Sequence, residues 1–361
     1  MPINWSVRQT PAEERLLILN PWQTNCLTEI FFADAIERAK KLDLEYHPKF
    51  GGKAIPPLFG LPISLKDSFQ VCGYDTSTGL GCYVGKPAGA NSALAAMLID
   101  LGAVLYCKTN LPQSITTGDS DNNVFGRTLN PRNKLLTAGG STGGEGALLA
   151  LRGSILGVGT DIGGSIRVPS VCNGLYGFRT SVGLVPHGGV RDLTPPGTDG
   201  VHSTAGPMAT SLRDCSLFLK SILQADAWVY DSASISIPWI ELEPRHKLRI
   251  GVALDDGLFT PSPPVRRGLK RAVDLLRGNN DIQIIPVNLP DTESHYQDLI
   301  SYFTLTGPDV SLLDLWPSLF KLTEPSTITS SSREQMSQSS HHSKALAFYQ
   351  YQERRCRAFS I

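Results

Sequence analysis

Two glycine- and serine-rich runs, AGGSTGGEGAL at 138–148 and GTDIGGSIRVP at 159–169, constrain this chain more than any other feature. Ser141 in the first and Ser165 in the second stand 24 residues apart. The interval holds a helix of about 10 residues, rising roughly 15 Å, and a strand of about 5 residues, rising roughly 17 Å. The two rises match, so the chain goes out and returns, and both serine runs belong at one end of a sheet. Helix followed promptly by strand implies an α/β fold.

That rhythm extends in both directions. FADAIERAKKLDL at 32–44 is apolar on one face and charged on the other, which predicts an amphipathic helix. Past a Gly/Pro-rich loop at 51–60, the apolar run at 61–65 predicts a strand that ends at Lys66. Residues 92–101 predict a helix with Ser92 as N-cap and Gly102 just beyond its end, and 104–107 the next strand. In the glycine-dense middle, 137–146 opens a helix at 147–151, 155–159 is a strand, and 160–167 is a second loop. Residues 211–223 predict a helix with Ser211 and Asp214 in a capping box. Strand, helix and strand follow at 248–254, 264–277 and 282–287, the basic cluster at 266–271 being the helix's exposed face.

The fold class that follows is α/β, a mixed twisted sheet flanked by helices on both faces, in one domain. The organisation reads as an atypical N-terminal segment at 1–22, the α/β domain at 23–323, a Ser-rich loop at 324–343 and a C-terminal helix at 344–361.

A formal net charge of zero removes the electrostatic footprint of a nucleic-acid binder. The seven cysteines (Cys26, Cys72, Cys82, Cys107, Cys172, Cys215, Cys356) are odd in number and scattered, with no CxxC pair and no zinc-ligand spacing. They read as reduced thiols in a reducing, cytoplasmic setting. Residues 1–10 lack the pattern of a signal peptide, and the apolar stretch at 147–159 is broken by Arg152 and glycines, so no membrane span is expected. The histidines are scattered and suggest no metal; no cofactor is expected either. The expected partner is a small-molecule substrate, with a homodimer left open.

If the 61–65 strand lies parallel to the 155–159 strand, Lys66 emerges at the sheet end that carries both serine runs. Sites on open α/β sheets form at the carboxyl ends of strands. A serine hydroxyl attacks a carbonyl well only after a base takes its proton. A lysine serves as that base when neutral, which requires lowering its pKa from about 10.4 to roughly 7–8 by burial. The run Asp161-Ile162-Gly163-Gly164-Ser165 supplies clustered backbone N–H groups suited to holding an oxyanion.

LFGLPISLKDS (58–68), NNVFGRTLNPRN (122–133), AGGSTGGEGAL and GTDIGGSIRVP together resemble the amidase signature family. The likeness is greatest to fungal acetamidases and general amidases and extends more distantly to fatty-acid amide hydrolases. It covers roughly residues 23 to 290. The resemblance implies an amidase that hydrolyses a linear monocarboxylic acid amide to carboxylate and ammonia or amine through an acyl-enzyme. It makes Ser165 the nucleophile, Ser141 (after a cis Gly140–Ser141 peptide) the proton relay, and Lys66 the base. It also implies that the amides of Ile162, Gly163, Gly164 and Ser165 hold the oxyanion and that the backbone of Ile115, in PQSI, contacts substrate. Thr142, where many relatives carry serine, and Arg167 would surround the two serines and the lysine.

Other readings compete. Gly139-Gly140-Ser141-Thr142-Gly143 fits G-x-S-x-G, which would make Ser141 a nucleophile partnered by Asp161 or Asp199 and by His187 or His202. That leaves Lys66 and the second serine run unexplained. No Gly-Lys-Ser/Thr closes any glycine run, so no P-loop is present. Asp67 and Arg179 read as structural pairing residues. Against the family pattern the chain looks truncated at both ends, so an inactive remnant is one alternative and an amidotransferase glutaminase subunit another.

Overall fold

The computed structural model describes residues 24–46, 54–191, 200–243 and 247–305. The segments read as an N-terminal extension, a Ser-rich loop and a C-terminal helix lie outside these residues. The described chain forms two compact units, one ending at Trp239 and one beginning at Ile240. The continuous α/β rhythm of the sequence thus spans two bodies.

In the first unit, strand β1 (Leu27–Ile30) leads into helix α1 (Phe32–Glu45) and β2 (Pro62–Lys66). Then come α2 (Ala93–Asp100), β3 (Val104–Thr109), α3 (Gly143–Ala150), β4 (Leu156–Asp161) and α4 (Arg167–Asn173). Strands β5 (Tyr176–Gly177) and β6 (Thr204–Ala209) and helices α5 (Leu212–Leu223) and α6 (Ala227–Tyr230) complete it. The sheet order is β1-β3-β2-β4-β6-β5. Strand β2 is parallel to both β3 and β4, whereas β1 and β6 run antiparallel to their neighbours. This is the mixed α/β sheet the sequence predicts. In the second unit β7 (Leu248–Val252) pairs parallel with β8 (Ile282–Pro286). Helix α7 (Pro263–Arg277) joins them and α8 (Thr292–Leu305) follows.

The alternation of β2 divides the first unit's interior. Ile63 and Leu65 join Leu105 and Val158 in a core shared with Leu94, Met97 and Leu98 of α2 and Phe218 and Ile222 of α5. Across the sheet, Val104 and Tyr106 pack with Leu42 of α1 and with Ala147 and Leu148 of α3. Helices therefore cover both faces, and the residues alternate with them as a period of two requires. The polar members of β2, Ser64 and Lys66, point away from Leu65 and are wholly buried.

Three local features differ from the sequence reading. Helix α3 starts at Gly143, not at 147, because its glycines carry low helix propensity but fit where no side chain would. Helix α4 begins where the loop read at 160–167 ends and covers residues to which the sequence reading gave no element; its proline, Pro169, lies in the first turn, where a missing N–H costs nothing. The caps also differ. Ser92 donates its hydroxyl to the Gln70 carbonyl at 3.2 Å, and Ser211 makes no side-chain cap bond, so no capping box with Asp214 forms. Ser211 and Asp214 are both partly exposed, so solvent can serve the open amides at the start of α5.

Gly144 shows how closely α3 is seated. Its N–H donates to Asn110 O at 2.9 Å. A methyl group on Gly144 would lie 2.3 Å from the Asn110 nitrogen and 2.6 Å from the Cys26 oxygen, all backbone atoms that cannot step aside. Gly144→Ala should therefore lower stability by at least about 2 kcal/mol, read as a lower denaturant midpoint.

Candidate active site

Strand β2 delivers Lys66 to the carboxyl end of the sheet. Its side chain is 0% exposed. Lys66 Nζ is hydrogen-bonded to Ser141 Oγ at 2.7 Å and to Thr160 Oγ1 at 2.8 Å, with Thr160 O at 3.5 Å. Ser141 follows a cis Gly140–Ser141 peptide and is itself fully buried. Burial pushes the Lys66 ammonium down to about 7, against an opposing pull from the Asp161 carboxylate. The same contact thus holds a lysine that is substantially neutral near neutral pH.

The second serine run is organised by Asp161, at the end of β4. Its carboxylate accepts from the amides of Gly164 at 2.7 Å and Ile166 at 3.0 Å, which curls the chain around it. Arg167 grips the same carboxylate through Nε and Nη2, both at 3.0 Å, and Arg179 Nε stands 3.7 Å away. Burial alone would raise the Asp161 carboxyl; the Arg167 guanidinium and these two amides outweigh it and hold the group low. Ser165, at the head of this turn, is partly exposed, and its carbonyl accepts from Thr142 N at 3.2 Å. That bond ties the two serine runs together.

Of the four amides expected to face an oxyanion, Gly164 N–H is engaged by Asp161, so it is spent inside the loop. The amides of Gly163 and Ser165 donate to no protein acceptor among the described residues. Ile162 is half-buried and Gly163 exposed. Arg167 reaches Asp161 and not the serines or the lysine. Thr142 is buried, with its hydroxyl donating to Thr160 O at 3.4 Å.

Ile115 closes a short 3-10 turn, Gln113–Ile115, with φ of 59° at Ser114 and 68° at Ile115. Ile115 N donates to Pro112 O at 3.0 Å, and Ser114 N to Thr78 O at 3.0 Å. Thr78 N in turn donates to Asp67, whose carboxylate pairs with buried Lys108 at 3.1 Å. The next residues reach the serine turn: a methyl group on Gly140 would lie 2.6 Å from Thr117 O. The structure therefore gathers Lys66, Ser141, Thr142 and Ser165 directly, with the Ile115 segment alongside.

Sequence reasoning missed Thr160, a second acceptor for Lys66, and the organising role of Asp161. Both lie at the end of β4, and its parallel pairing with β2 could have placed Thr160 near Lys66. The histidine-based alternative finds no support in the geometry. His187 Nε2 is hydrogen-bonded to Ser203 Oγ at 2.7 Å, His202 is exposed, and Ser141 Oγ is held by Lys66. Asp199 lies outside the described residues. The six described cysteines are free thiols. Among the described residues no His/Cys/Asp/Glu group is arranged to hold a metal ion, and no helix is long and apolar enough to cross a membrane.

The Amidase family profile matches residues 17–358. An amidase of Gibberella moniliformis is 46% identical over 291 residues, which are 80% of this chain and 54% of that protein. An acetamidase of Emericella nidulans is 44% identical over 261 residues, 70% of this chain and 47% of its own. The chain spans about half the length of the curated relatives it matches. A solved fatty acid amide hydrolase superposes with a TM-score of 0.72 at 36% identity, covering 76% of this chain and 48% of that one. A bacterial aryl acylamidase shares the fold, with a TM-score of 0.70 at 24% identity over 91% of this chain and 72% of its own.

Two expectations test the electrostatics. Below pH about 7 the folded protein must bury a charged Lys66, whereas above about 10.5 the lysine is neutral folded or unfolded. Its contribution to stability therefore rises with pH across that window, by roughly 1.4 kcal/mol per unit. Lys66→Met removes the buried charge, so its stability advantage over the parent should be largest at pH 6 and shrink as pH rises, measured by urea denaturation. Arg167→Ala leaves Asp161 less neutralised and should move the Lys66 titration to higher pH, followed by nitrogen NMR of the ammonium.

Proposed function

The chain belongs to the amidase signature family, and from that premise we propose that it hydrolyses a linear monocarboxylic acid amide through an acyl-enzyme formed on Ser165. The observation that carries this reading is the buried Lys66–Ser141 contact, in which the amine is substantially neutral. In the proposed reaction Ser165 Oγ attacks the amide carbon while its proton passes to Ser141 Oγ, which hands its own proton to Lys66 Nζ. The oxyanion is received by N–H groups of the 162–165 turn, where the amides of Gly163 and Ser165 are unengaged. The proton then returns through Ser141 to the leaving nitrogen, and the C–N bond breaks to release ammonia or amine. Water repeats the relay on the acyl-enzyme, regenerating Ser165 and releasing the carboxylate.

The assignment of roles follows what each group can do. Ser165 is partly exposed and reachable, as a nucleophile must be, whereas Ser141 is enclosed and touches the lysine. Removing one oxyanion donor typically costs about 10²–10³ in rate. Asp161 is assigned the holding of that turn, and the Ile115 backbone a wall of the substrate site. No cofactor enters the scheme. A cytoplasmic setting is part of the proposal and is supported by the free thiols of the described cysteines.

A fluorophosphonate probe tests the assignment. Ser165→Ala should abolish covalent labelling and Ser141→Ala should slow it. Labelling that survives the first change but vanishes in the second would make Ser141 the nucleophile. The labelling rate should rise about tenfold per pH unit below about 7 and level above it, as Lys66 loses its proton. Lys66→Ala should depress turnover far more than binding.

A further inference from the structure

Among the described residues the scheme above leaves two buried acids unused, Asp67, which pairs with Lys108, and Glu145. Glu145, in the first turn of α3, is 0% exposed, and no lysine or arginine pairs with it among the described residues. Its Oε1 is hydrogen-bonded to Ser64 Oγ of β2, and its Oε2 accepts from Thr109 Oγ1 of β3 at 2.8 Å. On the third side lies β4: a methyl group on Gly157 would fall 1.9 Å from Glu145 Oε1. The carboxyl thus lies across three adjacent strands at the centre of the sheet.

The hydroxyl protons around it can be counted, since each serine or threonine carries one. Ser154 Oγ donates to Leu156 O at 3.0 Å, which uses its proton. Ser64 Oγ stands within donating distance of both Ser154 Oγ, at 2.8 Å, and Glu145 Oε1, and its single proton can serve only one of them. Thr109 donates to Oε2. With the Ser64 proton on the Ser154 side, the Ser64–Glu145 bond takes its proton from the carboxyl. Desolvation points the same way, raising the Glu145 carboxyl from its ordinary 4.5 to about 7. The titratable groups facing it are the Cys26 and Cys107 thiols and the Tyr106 phenol, each pushed up by burial and so uncharged. The Lys66 ammonium, on the same strand as Ser64, is directed at Ser141 and Thr160.

We propose that Glu145 is a positioning residue held as a neutral carboxylic acid, donating to Ser64 and accepting from Thr109. Its place in the fold explains what it positions. Ser64 lies two residues before Lys66, Thr109 is the cross-strand partner of Lys66, and Ser141 lies four residues before Glu145. Clamping α3 to β2 and β3 therefore fixes Ser141 against Lys66. The catalytic consequence rests on the proposed function; the protonation state does not.

Glu145→Gln is the deciding variant, because a glutamine amide can donate to Ser64 and accept from Thr109 as the neutral acid does, but cannot stand in for a carboxylate that accepts from both. Infrared spectra of the full chain should show a protonated-acid carbonyl band that is absent in Glu145→Gln and fades as pH rises through about 7. Ser154→Ala frees the Ser64 proton to donate to the carboxylate, so it should shift that fading to lower pH. A raised acid pKa makes stability fall as pH climbs from about 4.5 to about 7, about tenfold in the folded-to-unfolded ratio per unit, and Glu145→Gln should lack this slope. Glu145→Gln should also keep the fluorophosphonate labelling rate within about threefold, whereas Glu145→Ala, where folded, should lose tenfold or more with probe binding little changed. Absence of the band at pH 5, or a Glu145→Gln protein that unfolds far more easily at that pH, overturns the neutral acid. An equal labelling rate in Glu145→Ala overturns the positioning role. Loss of the Ser165 assignment with the band intact would sink the proposed reaction and leave the protonation state standing.

Discussion

The structure of the first unit turns on the removal of one ammonium group from water. Moving a lysine from its ordinary 10.5 to about 7 corresponds to roughly 5 kcal/mol of disfavoured charge. Such a cost is sustained only where the surroundings cannot relax to readmit solvent. Lys66 meets that condition because β2 is a central strand, paired on both sides, with a helix over each face. An edge strand would have left the amine a path to water. The antiparallel strands flanking the parallel trio serve this end, since they make the carboxyl end of β2 an interior position.

The alternation of β2 then sorts the residues. Ile63 and Leu65 enter the apolar core, and Ser64 and Lys66 turn to the opposite face, beneath α3. Polar groups buried there must find partners. Lys66 finds Ser141 and Thr160, and Ser64 finds Glu145 and Ser154. The glycines of α3 and β4 bring backbone close enough for these short side chains to meet. Burying so many hydroxyls trades apolar core for fixed geometry, and proton transfer through Ser141 would depend on that geometry.

What was legible in the sequence follows from this physics. The rhythm of helix and strand around the serine runs could be read because PISLK and LGVGTD are short apolar segments bounded by turn residues. Their parallel pairing was a condition in the sequence and is a fact of the structure. Strand β6 was not legible: the Gly206-Pro207 pair within TAGPMA reads as turn chemistry, yet the segment pairs along its whole length with β4. The gathering of Lys66 with Ser141 could be argued from strand ends, and the same parallel pairing puts Thr160 near Lys66, but a lone threonine carries no signal that singles it out as a partner. Glu145 was invisible for a related reason. An acid in a glycine-rich helix start reads as a favourable charge near the helix N-terminus; only the neighbours contributed by β2, β3 and β4 disclose a buried group.

Asp161 exposes the tension in this design. The turn bearing Ser165 needs an anion at its centre, because the Gly164 and Ile166 amides must converge on something. That same anion favours a charged Lys66 and works against the neutrality that the proposed role of base requires. Two arginines reconcile the demands. Arg167 holds the carboxylate with two hydrogen bonds and Arg179 approaches it, so much of its field is cancelled before it reaches the lysine. The guanidinium of Arg167 remains partly exposed, in contact with solvent, so its own charge carries little desolvation cost. A lysine in its place would offer a point charge, not a two-pronged grip, and would leave the turn less firmly set. The charge that shapes the serine turn is thus neutralised from the solvent side while the lysine loses its water on the other, and the two groups can sit close together without the anion restoring the proton.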